Sequence, residues 1–192
     1  MYKITFLGYS KNVTRLIYEL EQRNCLVQYF ERKVDLSDIQ NSDLIVSYGY
    51  SYILKSDFID NCGCPIINLH IAYLPYNKGA HPNFWSFYDG TPSGVSIHLI
   101  DSGIDTGPIL YQKKVKFYQE KTFVDTYKRL KKEIEDLFIE NIQFIIKKEW
   151  TERKQVGKGT LHYIKDLPKE FRGWDTLIDY EIKRLKKSEI TK

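Results

Sequence analysis

Short apolar runs punctuated by turn formers organise the first half of the chain. Residues 3–7, 26–30 and 44–48 are brief runs rich in β-branched and aromatic side chains, and they predict three strands, the last buried on both faces. Between the first two, Gly8-Tyr9-Ser10 reads as a turn. Asn12 then reads as the cap of a helix with Val13, Leu16, Ile17 and Leu20 on its apolar face. Strand, helix, strand in this order predicts an α/β fold with a mostly parallel central sheet and crossover helices. A short helix over 53–59 and the breaker Cys62-Gly63-Cys64-Pro65 precede another buried run, Ile66-Ile67, which leads straight into Asn68.

The pattern then changes. Residues 75–92 are rich in Gly, Pro, Asn and aromatics, and read as a long loop around a short helix near 84–88. A loop of that length in a small domain is usually functional. Residues 93–99 alternate cleanly, with Val95, Ile97 and Leu99 on one face and Ser96 and His98 on the other. A glycine-flanked loop over 101–107 and a strand over 109–117 follow. Thr122, with Asp125 three residues on, predicts a capped helix whose apolar stripe runs Phe123, Tyr127, Leu130, Ile134, Leu137, Phe138, Ile142, Ile145 and Ile146. Past Trp150 the pattern gives a short strand over 160–164 and an amphipathic helix over 176–187. A catalytic unit over 1–150 with a strand-plus-helix extension over 151–192 is the expected division.

Composition adds constraints. The chain has 192 residues and 42% hydrophobic content, which suits one globular domain. Its net charge of +4 is uneven: residues 1–110 hold 8 Lys+Arg against 11 Asp+Glu, and residues 111–192 hold 21 against 14. The long helix accounts for much of this as a solvated Lys/Glu face, so no nucleic-acid partner is expected. The polar N-terminus, the lack of a long apolar run and three cysteines (Cys25, Cys62, Cys64) point to a cytoplasmic protein without a membrane partner. Cys62-x-Cys64 has no second well-spaced pair, so no metal is expected.

The chemistry concentrates at Asn68, His70 and Asp105. Side chains two apart on an extended segment face the same way, so an amide and an imidazole can converge on one small electrophile. Asp105, in a loop between two strands of the same sheet, is placed to orient His70 and to stabilise its charged form. The set suits acyl transfer, with an oxyanion donor, a proton carrier and its orienting carboxylate. From spacing alone, three polar residues beside turns are equally open to a purely structural reading. His98 and His162, both on strands, read as structural or surface residues.

These residues also carry a resemblance. Asn68-Leu69-His70, Leu74-Pro75, Lys78-Gly79 and Asp105-Thr106-Gly107 resemble, in order, the pattern of the formyltransferases that use 10-formyltetrahydrofolate, over roughly residues 44–117. That family includes glycinamide ribonucleotide transformylase, methionyl-tRNA formyltransferase and the sugar N-formyltransferases. The resemblance implies a Rossmann-like formyltransferase fold, with Asn68, His70 and Asp105 catalytic. It implies a folate-binding loop at Tyr48, Gly49, Tyr50, Ser51, Tyr52 and Ile53, closed on its other side by Asp101 and Gly103. It also implies acceptor contacts at Lys78, Gly79 and His81.

Residues 79–86 look most like the small sugar-nucleotide N-formyltransferases. The implied acceptor is therefore the primary amine of a nucleotide-linked amino sugar, and a homodimer is a possible assembly. A glycinamide ribonucleotide transformylase-like enzyme, a 10-formyltetrahydrofolate hydrolase and a non-catalytic folate or nucleotide binder are the alternatives. The sparse glycines of residues 8–12 weaken the first of these, and the stretch after Trp150 is short for a tRNA-binding domain.

Overall fold

The computed structural model describes residues 1–190. Its central sheet has six strands: β1 (Tyr2–Gly8), β2 (Cys25–Phe30), β3 (Leu44–Tyr48), β4 (Ile66–His70), β6 (Gly94–Leu99) and β7 (Ile109–Lys114), in the spatial order β2-β1-β3-β4-β6-β7. The first four are parallel, and β6 runs antiparallel to both β4 and β7. A two-stranded parallel ladder, β5 (Lys78–Gly79) with β8 (Leu161–His162), ties the long loop to the C-terminal segment.

Helices cover both faces. On one, α1 (Leu16–Glu21), α4 (Phe123–Glu140) and α5 (Ile142–Lys147) bury Leu16, Ile17, Leu20, Leu130, Ile134, Phe138 and Ile145 against Ile4, Phe6, Val46, Ile67 and Ile97. On the other, α2 (Ser56–Asn61) sets Phe58 against Leu7, Val34, Ile45 and Ile66. A third cluster joins α3 (Pro82–Tyr88) to the start of α4 and to α6 (Ile178–Ile190) through Phe84, Trp85, Phe123, Ile178 and Leu185. The segment after Trp150 is thus packed on the body of the fold. The last two residues of the expected 151–192 extension lie outside the described residues.

Several boundaries differ from expectation, each for a local reason. Residues 10–14 form turns rather than a helix capped by Asn12, and Val13 is left exposed. The helix expected from residue 53 begins at Ser56, and Ile53 is 81% exposed in the preceding loop. The Thr122 capping box forms as expected, with Thr122 Oγ1 accepting from Asp125 N and the Asp125 carboxylate accepting from Thr122 N. The long apolar stripe continues to Ile146, but the helix breaks at Asn141, whose side-chain amide donates to Leu137 O in place of the backbone ladder. Within that stripe Tyr127 is 38% exposed rather than core. The strands expected over 109–117 and 160–164 end early, at Lys114 and His162.

Phe84 is fully buried and meets the rings of Trp85, Tyr88, Phe123 and Phe171 at centroid distances of 5.0 to 5.6 Å. Phe84→Ala should destabilise the fold by about 3–5 kcal/mol, read as a shift in the urea midpoint. A loss below ~1 kcal/mol would show that the third cluster does not anchor the C-terminal segment.

Candidate active site

β4 and β6 are neighbouring strands of the sheet, and their antiparallel register fixes the site. It pairs Asn68 with His98 and His70 with Ser96, so all four side chains share one face. After β6, the loop over 100–107 brings Asp105 back over this face, with Asp105 in the left-handed region at φ 50°. The structure therefore brings together Asn68, His70 and Asp105, and adds His98 to them.

Asp105 is the hub. Its Oδ1 accepts from Asn68 Nδ2 at 3.1 Å and lies 3.3 Å from His98 Nε2. Its Oδ2 accepts from Gly79 N at 2.8 Å and lies 3.7 Å from His70 Nε2. Burial pushes the Asp105 carboxyl up. The positive field of His70, the hydrogen bond and charge of His98, and the Gly79 N–H together outweigh burial, so it is held well below the usual carboxylate range.

The two histidines are oriented by carbonyls, which can only accept. His70 Nε2 lies 3.1 Å from Asn77 O, so Nε2 carries the proton and Nδ1 is left as the basic nitrogen. The nearest fixed partner of His70 is thus this carbonyl rather than Asp105, whose action on it is mainly through charge. His98 Nδ1 lies 2.8 Å from Leu99 O and is likewise protonated. Its Nε2 then accepts from Asn68 Nδ2, 3.2 Å away, or donates to Asp105 once the ring is charged. His98 is 1% exposed, so it is no surface residue: it is a buried member of the cluster. A polar face opposite Val95 and Ile97 on a strand buried on both sides was the signal for it in the sequence.

Two cavities open at the carboxyl ends of the strands, where open α/β sheets bind ligands. One, of about 520 Å³, is lined by residues 33–37 and by Tyr50, Ile53, Leu54, Lys55, Asp57 and Phe58. Tyr50 is held there by its hydroxyl, which accepts from Val34 N and donates to Arg32 O. Ser51 and Tyr52 are exposed beside it. Gly49, at φ 69°, lies under the ring of Tyr9, so close that any side chain would strike it. Tyr48 turns its ring into the core, 2% exposed and edge-on to Tyr9 at 4.8 Å, and leaves only its backbone to this loop. Asp101 closes its own loop by accepting from Gly103 N and Thr106 Oγ1. The residues over 33–37 carried no sequence signal, because they face this cavity only through the chain's return after β2.

The second cavity, of about 340 Å³, is lined by Ile71, His81, Pro82, Asn83, Phe123, Val124, Tyr127 and Trp174. Ile71 directly follows His70. His81 sits at φ 55° with its ring 5.3 Å from Trp174, and burial lowers its pKa. Tyr127 is tied to Tyr9 by a 2.9 Å hydroxyl contact, and Lys131 Nζ lies 4.4 Å over the Tyr9 ring. Of the expected acceptor residues, His81 lines this cavity, whereas Gly79 turns its N–H to Asp105 and Lys78 lies in the β5–β8 ladder. Trp174 and Tyr127 were not foreseen as site residues, the first because only the tertiary fold brings residue 174 to this point.

Comparison with known proteins bears on this arrangement. The Formyl transferase family model matches residues 4–142. The chain belongs to the formyl transferase family. Among curated relatives, the methionyl-tRNA formyltransferase of Fusobacterium nucleatum is 33% identical over 144 residues, covering 73% of this chain and 46% of its own. The dTDP-4-amino-4,6-dideoxyglucose formyltransferase of Mycobacterium bovis is 30% identical over 128 residues, covering 67% and 54%. The chain thus spans about half the length of these curated relatives. A solved structure, the formyltransferase PseJ from Anoxybacillus kamchatkensis in complex with UDP-4,6-dideoxy-4-formamido-L-AltNAc and tetrahydrofolate, is 40% identical with a TM-score of 0.86. It covers 92% of this chain and 96% of its own. The formyltransferase fold expected from the resemblance is the fold observed. Among the described residues, no helix is long and apolar enough to cross a membrane.

The charge state of Asp105 has a measurable consequence. Its folded pKa lies below its unfolded value near 4, so its contribution to stability is present above that pH and is lost as pH falls through the folded pKa. Asp105→Asn should therefore lower stability by about 1–3 kcal/mol at pH 7 in urea titrations, with the gap from the parent protein narrowing below pH 4. A gap that widens on acidification would contradict this charge state.

Proposed function

We propose that the protein transfers a formyl group from 10-formyltetrahydrofolate to the primary amine of a nucleotide-linked amino sugar. The observation that carries this reading is the meeting of Asn68, His70 and Asp105 at the carboxyl edge of the sheet, with one cavity reaching Ile71 directly after His70 and a second formed by the segments that follow β2 and β3. A transfer reaction has two partners to hold, and the two cavities differ in the way those partners differ. The 520 Å³ cavity combines apolar walls from Val34, Leu36, Tyr50 and Phe58 with Lys33, Asp35, Lys55 and Asp57. Its apolar walls with a few polar groups fit a flat heteroaromatic donor with a hydrogen-bonding edge. The 340 Å³ cavity offers the rings of Trp174, Tyr127 and Phe123, which suit a nucleobase or the apolar face of a deoxysugar. Support comes from the A. kamchatkensis relative, whose structure holds a UDP-linked formamido sugar and tetrahydrofolate.

In this reading the donor supplies a formyl carbon that the acceptor's amine nitrogen attacks. One Nδ2 hydrogen of Asn68 stays on Asp105, and the other turns from His98 Nε2 to the oxygen as it gains charge, a contribution of about 10²–10³ in rate for such donors. His70 Nδ1, left basic by the Asn77 carbonyl, takes the ammonium proton and returns it to the departing nitrogen of the folate. Asp105 favours the imidazolium form of His70 while the proton is held there. The proposed acceptor is a small molecule rather than a nucleic acid, and the proposed compartment is the cytoplasm.

The test follows 10-formyltetrahydrofolate conversion with a panel of amino-sugar nucleotides, with glycinamide ribonucleotide and with no acceptor. Turnover only with an amino sugar supports the reading. Acceptor-independent turnover makes the protein a hydrolase, and folate binding without turnover makes it a binder. His70→Ala and Asp105→Ala should each retain the fold and lower turnover by about two orders of magnitude or more. Trp174→Ala should raise KM for the acceptor about tenfold, the scale of a lost aromatic stack, and leave the donor's KM unchanged. Near-normal rates in both site variants would remove the mechanism, and an unchanged acceptor KM would move the acceptor out of the Trp174 cavity.

A further inference from the structure

The family match ends at residue 142, yet residues beyond it hold the catalytic loop in shape. Arg153 and Ile109 exchange both backbone hydrogen bonds at the edge of the sheet. Two residues later, Gln155 Nε2 donates to Asp105 O at 2.8 Å and to Gly107 O at 2.9 Å. Both hydrogens of one amide are therefore spent on the carbonyls that flank Thr106. The loop needs such support. Asp105 is a non-glycine residue at φ 50°, and at Gly107 a Cβ would lie 1.8 Å from Leu99 O. A backbone in so restricted a conformation persists only when its surroundings determine it.

The same stretch grips the opposite wall of the site. Thr160 Oγ1 accepts from Asn77 N at 2.7 Å, Lys78 N donates to Thr160 O, and Ala80 N donates to His162 O. Asn77 is the residue whose carbonyl orients His70, and Gly79 is the residue whose N–H meets Asp105 Oδ2. Residues 155–162 thus fix both segments that meet at the Asp105 carboxylate.

We infer that Gln155 is a positioning residue for the reaction, setting the backbone of the Asp105 loop so that one carboxylate oxygen meets Asn68 and His98 while the other meets Gly79. The inference rests on the formyl transfer proposed for this site. The residue type matches the task. Leucine of similar size would leave both carbonyls without a donor, and glutamate would set a carboxylate oxygen against two carbonyl oxygens. Gln155 touches no reacting atom in this scheme. Its effect passes through the aim of Asp105, where misplacement by about 1 Å is enough for a 10²-fold loss.

The experiment compares Gln155→Leu and Gln155→Glu with the parent protein in three readouts: kcat, KM for both substrates, and the pH titration of the Asp105 carboxyl carbon by 13C NMR. Glutamate keeps the side-chain volume, so it guards against a variant that fails only by unfolding, and melting curves check both. The expected result is a fall in kcat of about 10- to 100-fold, KM values within about threefold, and an Asp105 titration moved up toward the ordinary carboxylate range. A kcat within threefold of the parent, or an unmoved Asp105 titration, overturns the inference. Should the parent protein turn over no amine at all, the proposed reaction fails by itself, and the carboxyl titration still decides whether Gln155 positions Asp105.

Discussion

A buried carboxylate must find donors, and the site is organised around meeting that requirement for Asp105. Its side chain is 14% exposed, and its two oxygens draw on Asn68 and His98 on one side and on Gly79 and His70 on the other. Those groups come from three parts of the chain: β4, β6 and the segment carrying Gly79. The pairing of β4 with β6 supplies the first two, and the β5–β8 ladder places the third. If any one of these elements shifted, an ionised group would be left inside the fold without full compensation. The carboxylate is thus the point at which sheet register, loop conformation and C-terminal packing must agree.

The carbonyl oxygens of Asn77 and Leu99 do comparable work for the histidines. Because a carbonyl cannot donate, each settles which ring nitrogen holds the proton without recourse to a second charged group. His70 and His98 stand nearly perpendicular, with ring centroids 6.2 Å apart on the same face. In His70 the carbonyl of Asn77 engages Nε2 and leaves Nδ1 for the proton transfer proposed above, whereas His98 is locked into the Asn68–Asp105 network. Two like side chains thus acquire different chemistry from backbone groups alone.

How far the sequence revealed this depends on the range of the interactions involved. The parallel strands, the Thr122 capping box and the shared direction of Asn68 and His70 follow from two- and three-residue spacings, and these could be read directly. Asp105 was reachable because a loop between neighbouring strands has few places to go. His98 was visible only as a polar position on an otherwise apolar strand, and its register partner, Asn68, is set by antiparallel pairing that no local pattern announces. Gln155, Thr160 and Trp174 were out of reach, since each acts across 48 residues or more, or lines a cavity made by distant segments. The burial of the Tyr48 side chain in the core was equally out of reach, because its place at the end of a strand gives no sign of which way the ring turns.

The ladder between Lys78–Gly79 and Leu161–His162 joins segments 83 residues apart. A chain emerging from the ribosome can lay down its sheet and cover it with the long helix well before residue 160 appears. Until then the strip carrying Asn77 and Gly79 has nothing to pair with, and neither His70 nor Asp105 has its full set of partners. Closing so long a loop comes late for entropic reasons as well as vectorial ones. The scaffold is therefore older, in the life of each molecule, than the active centre it carries.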